Sequence, residues 1–409
     1  MIKLETQTID YLKKDSNLFF FSIITLISIV VRVCFFDFVS DDASWFLLPW
    51  YDSIKELGIN SLSQQIGNYN LLYQFLIFLF TLLPIKALYA YKILSVIFDY
   101  LLAFTVALIS VENENNKLLD KLNSNRFVIV YTAVIMSPIV ILNSSCWAQC
   151  DSIYTFFIFA SVYSFLKKRY KLMFIFLGMS FAFKFQAIFV LPFIMFVYFL
   201  EKKFSIAKLL YIPVMLIITS IPGIIMGRSI LSPFKTYISQ TTTYEGVSFN
   251  YNSFWNCIIK DLVFADKDYT RHFSVIAICF TMCILGSLLF WAIKQNITLN
   301  HSNLIYLLHI TVYACILFLP SMHERYSYIY EITAILLMFI DKKTVFPGLG
   351  LILLSCATYG FYLFHLNYPV LSPSVINVFI FVWYIYHFAV SNKNTSEAKK
   401  KGLLPMKQS

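Results

Sequence analysis

The chain has 409 residues, 59% of them hydrophobic and only 13% charged, with a mean hydropathy of +0.71. No water-soluble core of this size requires so much apolar surface, so the composition excludes a soluble globular protein and predicts a polytopic membrane one. The net charge of +10 does not imply nucleic acid, because the Lys and Arg residues fall in short clusters between apolar runs, as in a protein oriented by basic cytoplasmic loops.

In chain order, the first apolar run, Leu18 to Phe36, is long enough to stay as an anchor rather than a cleaved signal. The stretch Leu71 to Ile85 has 15 residues. As a helix that is roughly 22 Å, short of the roughly 30 Å of hydrocarbon, so it is predicted to be juxtamembrane or re-entrant. Full crossings are expected near Leu18, Ala87, Phe127, Ser152, Leu172, Phe185, Leu209, Phe273, Asn303, Tyr328, Phe346 and Ser374, about twelve on the spacing of apolar runs. Lys171 to Leu200 is flanked by basic residues at both ends. Two abbreviated helices must therefore meet within the membrane, with Lys184, Phe185 and Gln186 at the junction.

Basic clusters at Lys3, Lys13 and Lys14, at Lys167 to Lys171, at Lys202 and Lys203, at Lys342 and Lys343 and in the tail to Lys401 place both termini in the cytoplasm. The predicted fold class is all-α, a polytopic transmembrane helix bundle over residues 1–390. External loops are expected at about 37–86 and 227–271, with a basic, disordered cytoplasmic tail over 391–409. The eight cysteines include no CxxC pair and read as small buried thiols.

Polar residues that chemistry could use collect on the predicted outer side. Asp41 and Asp42 follow the first span; adjacent carboxylates resist simultaneous ionisation, so one is a candidate base, or the pair grips a cation, or they cap a helix in solvent. Trp45 belongs to the aromatic surroundings of that pair. Trp147, Gln149 and Asp151 form an aromatic, amide and carboxylate stretch suited to sugar hydroxyls, the structural alternative being that Asp151 caps the next helix. Lys184 inside the bilayer costs on the order of 3 kcal/mol unless an anion meets it or it snorkels, and Gln186 lies beside it. His323, Glu324, Arg325 and Tyr326 lie between two apolar runs, and the arginine's fork of donors matches a phosphate. His323, Arg325 and Lys184 are therefore expected to hold one phosphate, and removing Lys184 is expected to spare stability. His272 and His365 read as uninformative.

The ordered stretches "SDDASWFLLPWYDSI", "GNYNLLYQ", "NSSCWAQCDS", "FKFQAIFVLP" and "FLPSMHERYSY" resemble the GT-C superfamily of integral membrane glycosyltransferases, in particular bacterial members related to the GPI mannosyltransferase group. The resemblance implies transfer of one sugar from a polyprenyl-phosphate carrier, such as undecaprenyl phosphate, to an extracytoplasmic glycan or lipid-linked acceptor. Where the family often has Gly-Asp-Tyr this chain has Asp41-Asp42-Ala43, which aligns Asp42 with the catalytic acid and leaves Asp41 as rival or helper. The usual Trp-Gly-Gln-x-Asp becomes Trp147-Ala148-Gln149-Cys150-Asp151. Arg325, His323 and Lys184 would neutralise the leaving phosphate, and Gln149, Asp151, Trp147, Gln186, Trp45 and Tyr326 would meet sugar or acceptor. No cofactor is expected, since a lipid-monophosphate leaving group with cations nearby does not require a divalent ion on Asp41, Asp42 and Asp151. The rival readings are a transporter or flippase for a lipid-linked glycan, for which internal repeats would be expected, and a polysaccharide polymerase or ligase.

Overall fold

The computed structural model describes residues 16–112, 117–240, 246–259 and 267–400. The basic residues Lys3, Lys13, Lys14 and Lys401 lie outside this range, as do parts of the second predicted external loop. Contacts divide the chain into two compact units. The first comprises residues up to Ile188, Ile206–Tyr244 and Leu363–His365; the second comprises Phe189–Ser205, Glu245–Tyr362 and Leu366 onward.

The first unit contains α1 (Ser16–Val33), α2 (Leu48–Leu57), α3 (Leu71–Thr81), α4 (Ala87–Ser110), α5 (Asn125–Ile135), α6 (Asp151–Leu166), α7 (Tyr170–Phe183) and, after a segment of the other unit, a further helix at Tyr211–Thr219. α4 packs against both α5 and α6, and α7 packs against α6. The largely exposed apolar face of α1, with Phe20, Leu26 and Val30, fits a hydrocarbon surrounding rather than water. After α5 the chain bends by 49°. Pro138 is the cause: it cannot donate to the helical ladder and holds Ser137 extended. The helix resumes at Pro138–Ile141 and widens into a π-helical turn, Leu142–Cys146.

Two buried ion pairs lie among the described residues of this unit. Arg32 of α1 meets Asp99 of α4 at 3.1 Å, and Ser144 of the π turn donates to the same carboxylate at 2.6 Å. Its neighbour Asn143 donates to Asp151 at 2.9 Å, and Asp151 pairs with Lys184. π turns often occur at functional sites, and this one serves both buried carboxylates. The loop before α3 is held by Arg228, which donates to Gln65 at 3.2 Å and to Gln74 at 2.9 Å. Burial pushes the Arg228 guanidinium down to about 10.

In the second unit, α8 (Leu191–Glu201) lies on the chain before the helix at Tyr211. Calling that helix α9, the remainder are α10 (Lys267–Lys294), α11 (His301–Phe318), α12 (Tyr328–Ile340), α13 (Val345–Phe364) and α14 (Leu371–Lys400). α11 is the centre: every side chain from Asn303 to Phe318 is buried, against α8, α10, α12 and α14. A helix apolar on all sides takes that position. Two short strands, β1 (Ser248–Phe249) and β2 (Met322–His323), pair in parallel, the one departure from an all-helical fold among the described residues.

Six described helices are long and apolar enough to cross a membrane, and seven if the pair bent at Pro138 counts as one span. The other expected crossings coincide with apolar helices too short for that criterion, such as α6, α7 and α12. α3 has 11 residues and is short, as predicted from Leu71 to Ile85. The tail differs from expectation: α14 continues through Ser391 to Lys400, where a disordered segment was predicted. Lys, Glu and Ala are good helix formers, so this stretch prolongs a helix already nucleated by its apolar half. Cysteines also depart from expectation; Cys146, Cys150 and Cys315 are buried, but Cys34, Cys279 and Cys283 are exposed on apolar helices or their ends.

Candidate functional site

The chain leaves α1 through an irregular turn and reaches Asp42, which precedes a π-helical turn, Ala43–Leu47. The Asp42 Oδ2 accepts two hydrogen bonds, from Trp147 Nε1 and Gln149 Nε2, both at 2.9 Å. Bonds to an ionised acceptor are stronger than neutral ones, and two of them fix the carboxylate's orientation. The same two segments meet again through Ser40, whose hydroxyl donates to the Trp147 carbonyl at 3.0 Å and accepts from Ala43 N at 3.2 Å. Tyr69 donates to Gln149 Oε1 at 3.3 Å, which turns the amide nitrogen toward Asp42. Tyr69 comes from the Gly67-Asn68-Tyr69-Asn70 turn. There a Cβ on Gly67 would stand 2.8 Å from the Trp50 ring, so glycine is required, and Asn70 caps α3.

Ala148 lies between the two donors at φ +64°, the left-handed region that L side chains enter at a cost of roughly 1–2 kcal/mol. That turn lets residues 147 and 149 reach one carboxylate. The alanine at this position is therefore strained where a glycine would not be. Ala148→Gly is expected to raise stability by up to about 1 kcal/mol after the entropy of glycine is subtracted. Ala148→Val, with a branched side chain in a buried left-handed position, is expected to lower it by more than that. Thermal melting of the two variants in detergent checks both signs.

The second cluster in this unit surrounds Asp151. The cap position before α6 is Cys150, with no side-chain bond to the helix end, so Asp151 is not a capping residue. It occupies the first helical turn, wholly buried, with Oδ1 on Lys184 Nζ and Oδ2 on Asn143. Lys184 follows α7 in extended conformation, its ammonium 5.8 Å from the Tyr69 ring and 5.6 Å from the Tyr154 ring. Lys184 thus does not snorkel; it is 4% exposed and paired. Its removal would take a paired cation from a buried carboxylate, so losing Lys184 should cost stability rather than spare it. Gln186 is buried in the following 3₁₀ turn, and its Oε1 has no hydrogen-bond partner among the described residues.

Asp41 and Asp42 diverge. While Asp42 turns to Trp147 and Gln149, Asp41 lies 3.9 Å from His365 Nε2, a histidine that sequence reading set aside. Trp45 is 65% exposed, and among the described residues its side chain makes no hydrogen bond or ring contact. On the turn before Asp41, the Tyr89 hydroxyl donates to Asp37 at 2.6 Å and holds its carboxyl below the usual range.

In the second unit, Ser321 takes a left-handed φ of +59° and donates its N–H to Val247 at 3.0 Å, which starts the β1–β2 pair. The pairing puts the His323 ring flat on Phe249, with centroids 4.8 Å apart, and beside Tyr326 at 5.1 Å. Glu324 is buried, its carboxylate 3.9 Å from His323 Nδ1 and 3.6 Å from Arg325 Nη1. His323, Arg325 and Tyr326 are thus gathered within this unit, whereas Lys184 belongs to the first.

No group of three or more His, Cys, Asp or Glu among the described residues is arranged to hold a metal ion. No protein-family model and no curated protein matches the chain. Sequence reasoning missed Tyr69, Ser40 and Glu324 as members of the two sites. Tyr69 had a signal, the GNYN stretch, and Glu324 stood between two residues already chosen; Ser40 had none.

Proposed function

We propose that the chain is a membrane glycosyltransferase of the GT-C kind, which takes one sugar from a polyprenyl-phosphate donor and adds it to a glycan acceptor outside the cytoplasmic membrane. The observation that carries this reading is the Asp42 carboxylate held by the Trp147 indole and the Gln149 amide. An oriented carboxylate beside a polar and aromatic stretch is what deprotonation of a sugar hydroxyl needs. Asp42 takes the proton of the acceptor hydroxyl as its oxygen bonds the anomeric carbon. The bond from that carbon to the phosphate oxygen breaks, and its electron pair leaves with the lipid phosphate. In the second unit, Arg325 and His323 are the side chains whose donors suit a phosphate. Lys184 has three N–H donors and one carboxylate acceptor, which leaves it capacity for an anion as well.

The test is incubation of purified protein with a panel of radiolabelled polyprenyl-phosphate hexoses and crude envelope glycan. Label should pass from lipid to glycan with one donor sugar. Label that stays on the lipid with every donor, while intact lipid-linked glycan crosses proteoliposomes, would replace this reading with that of a flippase.

The topology belongs to the same proposal: about twelve crossings, both termini cytoplasmic, Asp42 and Arg325 outside. Single cysteines at Asn68 and Ser321, in a functional variant stripped of its accessible thiols, should react with an impermeant reagent from outside. Cysteines at Ser205 and Thr395 should react only after permeabilisation. External labelling at Thr395 would reverse the orientation.

A further inference from the structure

A lysine in the apolar helix α4 needs a partner for its charge, and Lys92 is wholly buried there. No carboxylate lies within ion-pair distance of it among the described residues. Instead Lys92 Nζ donates to three backbone carbonyls just past α1: Phe35 O at 2.7 Å, Phe36 O at 3.1 Å and Phe38 O at 2.7 Å. An ammonium has three N–H donors, so each is used, and the charge sits at the carbonyl end of a helix, where cations are favoured. The same face of α4 holds the residue in between: Tyr89 donates to Asp37 at 2.6 Å, and Lys86 lies 3.6 Å from it. Residues 35 to 38 are therefore gripped one after another.

We infer that Lys92 is a positioning residue for the Asp42 carboxylate. The turn it fixes leads within two residues to Ser40, which binds the Trp147 carbonyl, and then to Asp42, which binds the Trp147 indole. Trp147 is held at both ends by the segment that Lys92 anchors. A change at Lys92 propagates along four residues of chain to the carboxylate rather than across a packed core. The inference rests on reading Asp42 as the base, but the placement it asserts is measurable without substrate.

The measurement is the indole ¹⁵N–¹H resonance of Trp147, one of six tryptophans, assigned through Trp147→Phe. Asp42→Ala marks where that resonance lies when the bond is lost. In Lys92→Met the resonance should move to that position, and Lys92→Arg, which keeps charge and donors, should return it. In transfer assays Lys92→Met should lower kcat by about a hundredfold, as a displacement of about 1 Å does, with KM for the lipid donor unchanged. Lys92→Gln, which keeps two donors, carries the same test if the methionine variant does not fold. A Trp147 resonance that stays in place in a folded Lys92 variant overturns the inference. So does failure of both variants to fold, because Lys92 would then hold the fold rather than aim the carboxylate. A resonance that moves while Asp42→Asn retains full transfer would uphold the positioning and discard Asp42 as base.

Discussion

Asp42→Asn is expected to lower sugar transfer by about 10²–10⁴-fold, the contribution of a positioned general base, with folding and donor binding retained. The asparagine carbonyl can still accept from Trp147 Nε1 and Gln149 Nε2, so the local geometry survives while the proton acceptor is lost. Asp42→Ala goes further: it strands both donors in a largely buried place, at about 1–3 kcal/mol each, and should lower the melting temperature as well. Asp41→Asn should cost much less, because that carboxylate faces His365 rather than Trp147. Transfer rates and melting curves for the three variants decide the matter. Full transfer by Asp42→Asn, or a larger loss from Asp41→Asn, would move the base to Asp41 or out of this pair.

How much of this could be read from the sequence depended on the range of the interaction. Helices were legible because long apolar runs set them, and the short Leu71 helix because its length falls below a membrane's thickness. The break at Lys184 was legible because basic flanks on both sides of one apolar run demand it. Asp42, Trp147 and Gln149 stood out as polar residues next to apolar runs, and the structure brings them into direct contact. Pairings across the chain were not legible. Arg32 and Asp99 are 67 positions apart, and each looks like a lone charge in an apolar run. Lys92 binds backbone carbonyls, which every residue carries, so no partner residue could have announced it. Ala148 looked like a mild departure from glycine because φ is not written in a sequence.

The pair Lys184–Asp151 should show the largest stability effect. Lys184→Met alone is expected to cost about 3–5 kcal/mol, since a wholly buried carboxylate loses the cation it pairs with. Asp151→Asn alone should cost less, because Lys184 keeps two tyrosine rings and can still find an acceptor in the amide. The double variant should recover most of the loss, since replacing a buried pair by uncharged groups is often close to neutral. Denaturation midpoints of the three variants, arranged as a double-mutant cycle, read the coupling directly. Strict additivity would mean that the contact contributes nothing. Transfer assays on the same proteins then separate two roles for the lysine. If Lys184 serves only Asp151, donor use should return with stability in the double variant; if its remaining N–H groups meet the lipid phosphate, stability should return and donor use should not.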